Sequence, residues 1–294
     1  MTAISFSVPV PFQNFDSAAA EQKIIAFIRN IAGDAGCRGV VLGLSGGIDS
    51  ALVAALSVKA LGAKNVHPIF FYNAADDSPC NSDDLKDASI LSEQLGLTLQ
   101  TINLYPTANA AESSFSFPVL FSESGSSALS LGNLKSRLRM SLLYYYANTG
   151  NLLVIGTKNK TERLTGYYTK YGDGGVDLDP IADLYKTEVR LLSKHMNLPE
   201  SILSKTPSAG FWNGQSDEAD LGLRYEQLDS LLYELEKTAE TEGVDDVLKL
   251  NPDSEALKSA FEKIGLTEKQ YKSVLLRMKS AAHKQKPPNY PIIS

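Results

Sequence analysis

The feature that most constrains the fold is a glycine-rich turn between an apolar strand and an apolar helix. Residues 40–44 read Val-Val-Leu-Gly-Leu, and an apolar helical run at 51–56 follows directly after Asp49 and Ser50. Glycine lets the backbone approach a ligand closely, and the first N–H groups of a helix have no partners within the helix. The turn Gly43–Ser50 therefore predicts a binding site for phosphate groups.

Three known motifs compete for this turn. A Walker A loop needs Gly and Lys where this chain has Ile48 and Asp49, so that motif is excluded. A Rossmann fingerprint needs glycine at position 45, where the chain has Ser45. Residues Gly43–Gly47 do match the G-x-S-x-G elbow of α/β-hydrolases, with Ser45 as nucleophile and a later histidine as base. Only one predicted strand precedes the turn, whereas the hydrolase fold requires several, so the pattern disfavours a hydrolase.

Helical and strand patterns alternate along the first two thirds of the chain. The predicted strands are 39–44, 66–71, 97–104 and 152–155, and the predicted helices are 18–33, 50–61, 82–95 and one that ends before 152. This order predicts an α/β fold, a doubly wound and mostly parallel sheet with helices on both faces. Ligands of such sheets bind at the carboxyl ends of the strands. Both the Gly43–Ser50 turn and the Gly156-Thr157 turn are expected there.

We expect a single domain over residues 1–294. It divides into an N-terminal helix within 1–35, a nucleotide-binding α/β core at 36–224 and a helical C-terminal extension at 225–294. In the extension the predicted helices are 225–240, 254–264 and 267–283. Two stretches do not fit: 105–132 is predicted to be a loop or an irregular helical insert, and 206–222 a mobile surface loop.

Bulk properties exclude several classes of protein. Cys37 and Cys80 are the only cysteines, and they form no C-x-x-C pair, which argues against a disulfide framework or a zinc site. A net charge of −6 disfavours nonspecific nucleic-acid binding. The sequence contains neither a membrane-spanning apolar run nor a signal peptide pattern. We therefore expect a cytoplasmic enzyme with no nucleic-acid or membrane partner.

A second polar cluster follows the fourth predicted strand. Gly156–Glu162 again places hydroxyl and amide groups after an apolar strand, and Gly166–Pro180 is dense in Gly, Asp, Tyr and Lys. The acids of this second run lack the D-x-D-x-D-G spacing of a calcium loop. The alternative is a plain surface hairpin.

The motifs occur in the order typical of one family. Ser45–Ser50 resembles the pyrophosphate-binding loop of N-type ATP pyrophosphatases, and the downstream motifs resemble NAD synthetase over about residues 20–288. Those motifs are Gly132–Met140, Gly156-Thr157 with Glu162, Tyr171–Gly175, Leu184–Val189, Pro207–Gly210, Asp217-Glu218 with Leu221-Gly222, and His283-Lys284. The resemblance implies an adenine nucleotide alpha hydrolase-like fold. It also implies that ATP adenylates deamido-NAD with release of pyrophosphate, and that ammonia then displaces AMP to give NAD.

The same resemblance implies roles for individual residues. Asp49 and Glu162 correspond to Mg²⁺ ligands, Lys186 to a catalytic ATP contact, and Asp173 to a group that positions or deprotonates ammonium. The further ATP contacts are Gly43, Leu44, Ser45, Gly46, Gly47, Ile48, Ser50, Thr157 and Ser208, together with Asp49. The deamido-NAD contacts are Arg137, Lys170, Asp177, His283 and Lys284. Family members pair as homodimers through helices that include Tyr144-Tyr145-Tyr146.

Other functions are weighed against this one. A tRNA-modifying ligase is expected to lack the Tyr171–Gly175 and Lys186 patterns, and a non-catalytic nucleotide sensor is expected to lose acids that this chain keeps at 49 and 162. Glutamine-dependent members carry a glutaminase domain before the synthetase, whereas the first strand here begins at residue 39, so ammonia is the expected donor. A separate glutaminase subunit remains open. Trp212 either covers the nucleotide or anchors its loop.

Overall fold

The computed structural model describes residues 8–75, 82–114, 127–208, 210–212, 214–288 and 290–291. Residues 76–81, which include Cys80, and the middle of the predicted insert (115–126) lie outside the described residues.

The sheet has four parallel strands in the order β3-β2-β1-β4. The strands are β1 Gly39–Gly43, β2 Val66–Tyr72, β3 Gln100–Asn103 and β4 Leu152–Val154. Val40 of β1 lies opposite Val66 of β2, and Gly39 lies opposite Leu152 of β4. A parallel bridge between Ile155 and Leu178 continues the sheet beyond β4. The predicted parallel sheet is confirmed, although β3 begins three residues later than predicted, at an exposed edge.

Helices lie before, between and after these strands. They are α1 Ser17–Asp34, α2 Ile48–Leu61, α3 Asp83–Leu95, α4 Tyr105–Ser113, α5 Ser127–Gly150, α6 Lys160–Thr165, α7 Lys186–His195, α8 Glu200–Leu203, α9 Asp217–Leu221, α10 Tyr225–Glu242, α11 Glu255–Lys263 and α12 Glu268–Ala281. The hydroxyl of Ser82 accepts the N–H of Leu85 and caps α3, as predicted. Within the described parts of the chain, no helix is both long and apolar enough to cross a membrane.

Apolar side chains cover both faces of the sheet. Successive residues of a strand point to opposite faces, and in β1 the buried Val40 and Leu42 belong to a core shared with α1, α2 and α7. Val41 points the other way and packs in a second cluster with Ala147 of α5. Each fully buried aliphatic side chain of this kind contributes about 1.5–3 kcal/mol. The doubly wound architecture is therefore confirmed.

The C-terminal helices pack around an apolar cluster of their own, which includes Tyr225, Phe261 and Tyr271 together with Phe12 from the N-terminal segment. One buried carboxylate links this unit to the α/β core. Asp229 of α10 is fully buried, and its oxygens accept the N–H of Thr187 and the hydroxyl of Thr161. Asp229 thereby fixes the N-terminal turns of α6 and α7, which carry site residues.

Two expectations were wrong in part. Residues 105–113 form a regular helix, α4, because proline is tolerated in a first helical turn and alanines follow it. Residues 127–132 belong to α5 rather than to a loop. The predicted surface loop 206–222 contains α9, which the Ser216 hydroxyl caps and which buries Asp217 and Leu221.

Candidate active site

The candidate site lies where the order of the strands reverses. From β1 the chain moves to β2 and β3 on one side, and then returns to β4 on the other side of β1. Such a switch point opens a crevice at the carboxyl ends of the two strands between which the order reverses, here β1 and β4. Gly43–Ser50 follows β1 and Gly156-Thr157 follows β4, so both predicted turns flank this crevice.

Hydrogen bonds within the loop fix its shape. The hydroxyl of Ser50 accepts the N–H of Ser45 at 3.1 Å and donates to the carbonyl of Gly47 at 3.0 Å. Ser45 Oγ accepts the N–H of Gly47 at 3.3 Å. Leu44 and Ile48 are buried beneath the loop. Two N–H groups thus donate to two hydroxyls within a glycine-rich turn at a helix start, a type of turn that binds phosphate oxygens in other proteins.

The hydrolase alternative finds no support in these contacts. The two serine hydroxyls of the loop, those of Ser45 and Ser50, lie 3.0 Å apart. The ring of His195, a candidate base by chain order, instead contacts Glu21 on α1 through Nε2. Among the described residues, Ser45 Oγ forms hydrogen bonds with Ser50 and Gly47, and none with His195 or His283, although a histidine base is what activates such a nucleophile.

Asp49 is the centre of a buried charge cluster. Its Oδ2 accepts a hydrogen bond from Lys186 Nζ at 2.5 Å, and its Oδ1 accepts one from Asn159 Nδ2 at 2.9 Å. The same Lys186 ammonium lies 3.9 Å from Glu162 Oε1. It also lies 5.1 Å from the centroid of the Tyr225 ring. The two predicted metal carboxylates and the predicted catalytic lysine are thus brought together.

Local structure aims Glu162 into this cluster. Asn159 and Glu162 form a reciprocal capping box at the start of α6, in which Glu162 Oε2 accepts the N–H of Asn159. The other carboxylate oxygen, Oε1, is the one directed toward Lys186. Lys186 begins α7, and its own N–H donates to Thr161 Oγ1 at 3.0 Å. Two helix starts therefore set the relative positions of the three charges.

Burial and neighbouring charges together raise the pKa values of both the acid Glu162 and the base Lys186. Burial, followed by the nearby charge of Asp49, raises the pKa of Glu162 well above its ordinary value. Burial alone would lower the pKa of Lys186, but the carboxylates of Asp49 and Glu162 outweigh it and raise that pKa. A cation close to the two carboxylates, such as the Lys186 ammonium, favours their charged forms.

The donor set fits a magnesium ion. Mg²⁺ prefers oxygen ligands and is usually held by one or two carboxylates together with substrate phosphates and water. Asp49 and Glu162 supply that pair, and the Lys186 ammonium already occupies the position of a cation between them. Among the described residues, no group of three or more His, Cys, Asp and Glu side chains could hold a metal by itself.

Asp217 is a member of the cluster that sequence reasoning did not assign a role. Its Oδ2 accepts the hydroxyl of Tyr225, whereas its Oδ1 is buried without a partner. Burial raises the pKa of Asp217, and its charge in turn contributes to the raised pKa of Glu162. The signal for Asp217 was present, since an acid pair stands at 217–218 in one of the motifs.

The remaining predicted ATP contacts lie at the edges of the crevice. Thr157 directly follows Gly156, where a side chain would overlap Asp179 Oδ1 at 2.0 Å, so only glycine fits this close approach. Ser208 is exposed, and its hydroxyl accepts the N–H of Gly210. The segment that carries Ser208 starts at Lys205, which bonds the carbonyl of Gly46 in the phosphate loop.

Four of the five predicted deamido-NAD contacts lie together. Arg137 Nε donates to the carbonyl of Lys170, whose ammonium donates to the carbonyl of His283 at 2.6 Å. Lys284 Nζ donates to the carbonyls of Gly166 and Tyr168. A cavity of about 440 Å³ opens beside them, lined by Lys170, Ala282, His283, Lys286, Pro287 and Pro288. The C-terminal tail thus supplies cations beside this group.

The two remaining acids are held by neighbouring structure. Asp173 Oδ1 accepts the hydroxyl of Ser136 and the N–H of Thr169, which closes the polar turn onto α5. Asp177 accepts the hydroxyl of Tyr144 and the N–H of Val154 at the end of β4. Asp177 is therefore placed by β4 and α5, apart from the hydrogen bonds of the other four predicted deamido-NAD contacts.

Three supporting residues were missed by sequence reasoning. Asn159 had a readable signal, because an Asn followed three residues later by Glu162 is a helix-start pattern. Lys205 and Asp229 had none, since each contacts elements more than thirty residues away in the chain.

Comparison with known proteins gives one consistent result. The family model described as NAD synthase matches residues 20–288. An NH(3)-dependent NAD(+) synthetase of Methanosarcina mazei is 46% identical over 276 residues, which cover 94% of this chain and 98% of that protein. The structure of an NMN synthetase from Francisella tularensis has a TM-score of 0.71 at 30% identity and covers 95% of this chain and 99% of its own. That of an NH3-dependent NAD synthetase from Campylobacter jejuni has a TM-score of 0.68 at 32% identity, with 95% and 100% coverage. With its phosphate loop and both acids in place, the chain belongs to the NAD synthase family.

Proposed function

We propose that this chain converts deamido-NAD to NAD with ATP and ammonia, releasing AMP and pyrophosphate. One observation carries the proposal beyond family membership. The acid of the phosphate loop, Asp49, is paired with Lys186 and lies beside Glu162 at the switch point of the sheet. This arrangement supplies both the metal carboxylates and the cation that nucleotidyl transfer needs.

The reaction follows in two balanced steps. A carboxylate oxygen of deamido-NAD attacks the α-phosphorus of ATP, and the bond from that phosphorus to pyrophosphate breaks. The nitrogen of ammonia then attacks the carbonyl carbon of the adenylate, the bond from that carbon to the oxygen of AMP breaks, and the nitrogen loses one proton, which gives the amide and free AMP. The loop Gly43–Ser50 binds the β- and γ-phosphates through N–H groups and the hydroxyls of Ser45 and Ser50. Lys186 stabilises the negative charge that develops during the transfer.

We propose that Asp49 and Glu162 hold Mg²⁺ together with the phosphates. When bound, the ion neutralises phosphate charge and orients the triphosphate for in-line attack. Thr157 and Ser208 then complete the ATP contacts at the crevice edges. The two acids and their geometry support this assignment, because the pair already encloses an ammonium.

We propose that deamido-NAD binds through Arg137, Lys170, Asp177, His283 and Lys284, and that the site is completed in a homodimer. The clustering of Arg137 and Lys170 beside the C-terminal tail supports the proposed deamido-NAD site.

Exposed apolar side chains on α5 support the homodimer, since Tyr145 and Leu129 are 74% and 52% exposed. Sedimentation velocity tests it: Tyr145→Glu should shift a dimer to monomer. A single-subunit mass for the wild type contradicts it.

The nitrogen donor and the acid substrate are separate choices. Ammonia is favoured because relatives named NH(3)-dependent match nearly end to end. The structural similarity to the NMN synthetase of Francisella tularensis suggests a second candidate substrate, the carboxylic acid form of NMN, whose amidation would give NMN. A cytoplasmic location stays a prediction from the sequence.

A substrate comparison tests these choices. Pure protein is given ATP, Mg²⁺ and either deamido-NAD or the acid mononucleotide, each with ammonium or with glutamine, and the values of kcat/KM are compared. We expect the highest value for deamido-NAD with ammonium, and no AMP from an Asp49→Asn variant. A higher value for the mononucleotide would replace the proposed substrate, and amide formation from glutamine would replace the proposed donor.

A further inference from the structure

Lys205 connects the phosphate loop to two other elements. Its ammonium donates to the carbonyl of Gly46 at 3.2 Å and to Asp84 Oδ1 at 2.8 Å, and it also contacts Asp87 Oδ2. Asp84 and Asp87 lie on α3, and Asp87 is buried. Lys205 itself follows α8 and opens the segment that carries Ser208. One side chain thus joins the loop, α3 and that segment.

The contact with Gly46 fixes the direction of a peptide group. In a trans peptide the C=O and N–H point in opposite directions. Because Lys205 holds the carbonyl of Gly46, the N–H of Gly47 points away from α3, toward Ser45 Oγ at 3.3 Å. Glycine on both sides widens the range of backbone conformations open to this peptide. The ammonium, together with Ser45 Oγ, therefore favours one orientation of the peptide, in which its N–H is directed to the Ser45 hydroxyl.

The loop is also confined on its α3 side. Gly46 has a φ of +78°, and a Cβ there would lie 2.4 Å from the carbonyl oxygen of Asp84. The backbone of the loop is therefore in direct contact with the first turn of α3. Its position depends on the same element to which Lys205 is bonded.

Lys205 is not arranged to bind phosphate itself. An ammonium has three N–H donors, and the contacts with Gly46, Asp84 and Asp87 use all three. Partial burial lowers the pKa of Lys205, but the hydrogen bonds with the two carboxylates raise it above its ordinary value, so the group stays charged. Those two acids balance its charge locally.

We propose that Lys205 is a positioning residue for ATP, which orients the Gly46–Gly47 peptide so that its N–H holds the Ser45 hydroxyl in place within the loop that binds the pyrophosphate portion. The inference rests on the proposed function, because it takes Gly43–Ser50 as the ATP phosphate site. It adds Lys205 to the ATP site, and this residue lies outside every motif on which the family resemblance rested.

The test separates ATP binding from general damage. Lys205→Met, Lys205→Arg and the control Lys272→Met are titrated with MgATP by calorimetry in the absence of deamido-NAD, and the KM values of both substrates are measured. Lys272, a residue of α12, is the matched control because its ammonium also contacts two carboxylates, those of Asp253 and Glu268. We expect Lys205→Met to weaken ATP binding about tenfold, the size of one lost hydrogen bond to a charged group. We expect the KM for deamido-NAD to stay within about twofold, Lys205→Arg to regain affinity, and Lys272→Met to bind ATP like the wild type.

Other outcomes overturn the inference. An unchanged ATP affinity in Lys205→Met, with only a lower melting temperature, makes the ion pairs purely structural. An equal rise of both KM values points to general distortion and has the same consequence. If Lys205→Met does not fold, Lys205→Gln, which keeps an N–H donor but no charge, is titrated and judged by the same criteria. A wild type that fails to bind ATP removes the proposed function instead, so the two failures are distinguishable.

Discussion

Replacement of Lys186 by methionine tests the charge cluster most sharply. The ammonium is 2% exposed and lies between Asp49 and Glu162, so its loss leaves two enclosed carboxylates without a cation. Removing one member of a buried ion pair costs about 3–5 kcal/mol. At about 2–4 °C per kcal/mol for a chain of this size, the melting temperature should fall by roughly 10 °C.

Magnesium should restore much of this loss. In the wild type a metal must displace the Lys186 ammonium from Asp49, whereas in Lys186→Met the carboxylates are already free of it. Ligand at about 100 times its dissociation constant stabilises the folded state by about 2.7 kcal/mol. Scanning fluorimetry with EDTA and then with Mg²⁺ measures the effect. The gain in melting temperature on adding Mg²⁺ should be larger for the variant than for the wild type.

A matched variant supplies the control. Lys158 is also buried, pairs with Asp179 at 2.5 Å, and lies 4.9 Å from the centroid of the Tyr168 ring. Lys158→Met should be destabilised in a comparable way but should gain no more from Mg²⁺ than the wild type. An equal Mg²⁺ effect in all three proteins would refute the idea that Asp49 and Glu162 form a cation site.

Three further predictions follow from single residues. Gly46→Ala places a Cβ 2.4 Å from the Asp84 carbonyl oxygen, in a residue with positive φ. Urea unfolding should show that the free energy of unfolding falls by at least about 1–2 kcal/mol, and the KM for ATP should rise. An unchanged KM for ATP contradicts this geometry. Burial raises the pKa of Glu188 to about 7, so the folded protein holds this proton more tightly than the unfolded chain. The stabilisation from protonated Glu188 is full below the pKa of the unfolded chain and is lost as pH rises through about 7. Between about pH 5 and pH 8, Glu188→Gln should therefore lose less stability than the wild type, by at most about 3 kcal/mol. Parallel stability profiles of the two proteins against pH would remove this assignment. Asp173→Asn keeps an acceptor for Ser136 and should fold normally, with ammonia-dependent turnover lowered by roughly 100-fold if Asp173 acts on ammonium; unchanged turnover at saturating substrate excludes that role.

The sequence was most informative where chemistry is local. The strand, glycine turn and helix around Gly43–Ser50 could be predicted because each depends on neighbouring residues. The alternation of strands and helices predicted the parallel sheet, and the switch point followed from it. Acid residues at 49 and 162 could be recognised by resemblance, and their convergence on Lys186 agrees with it.

The sequence was least informative where function depends on distant contacts. Nothing near Asp229 indicates that it caps α7 through Thr187, because that contact spans 42 residues. Lys205 meets Gly46 across 159 residues, and its role depends on the direction of one peptide. The helix α9 was missed because its five residues are too few for a periodic pattern, although the Ser216 cap marked its start.

The central claim is that the substrate carboxylate is adenylated before ammonia attacks it. Deamido-NAD labelled with ¹⁸O in its carboxylate, incubated with ATP, Mg²⁺ and ammonium, distinguishes this route by mass spectrometry. The account predicts one NAD per AMP, with one ¹⁸O atom transferred from the carboxylate to the phosphate of AMP. Unlabelled AMP, or ADP in place of AMP, would contradict it.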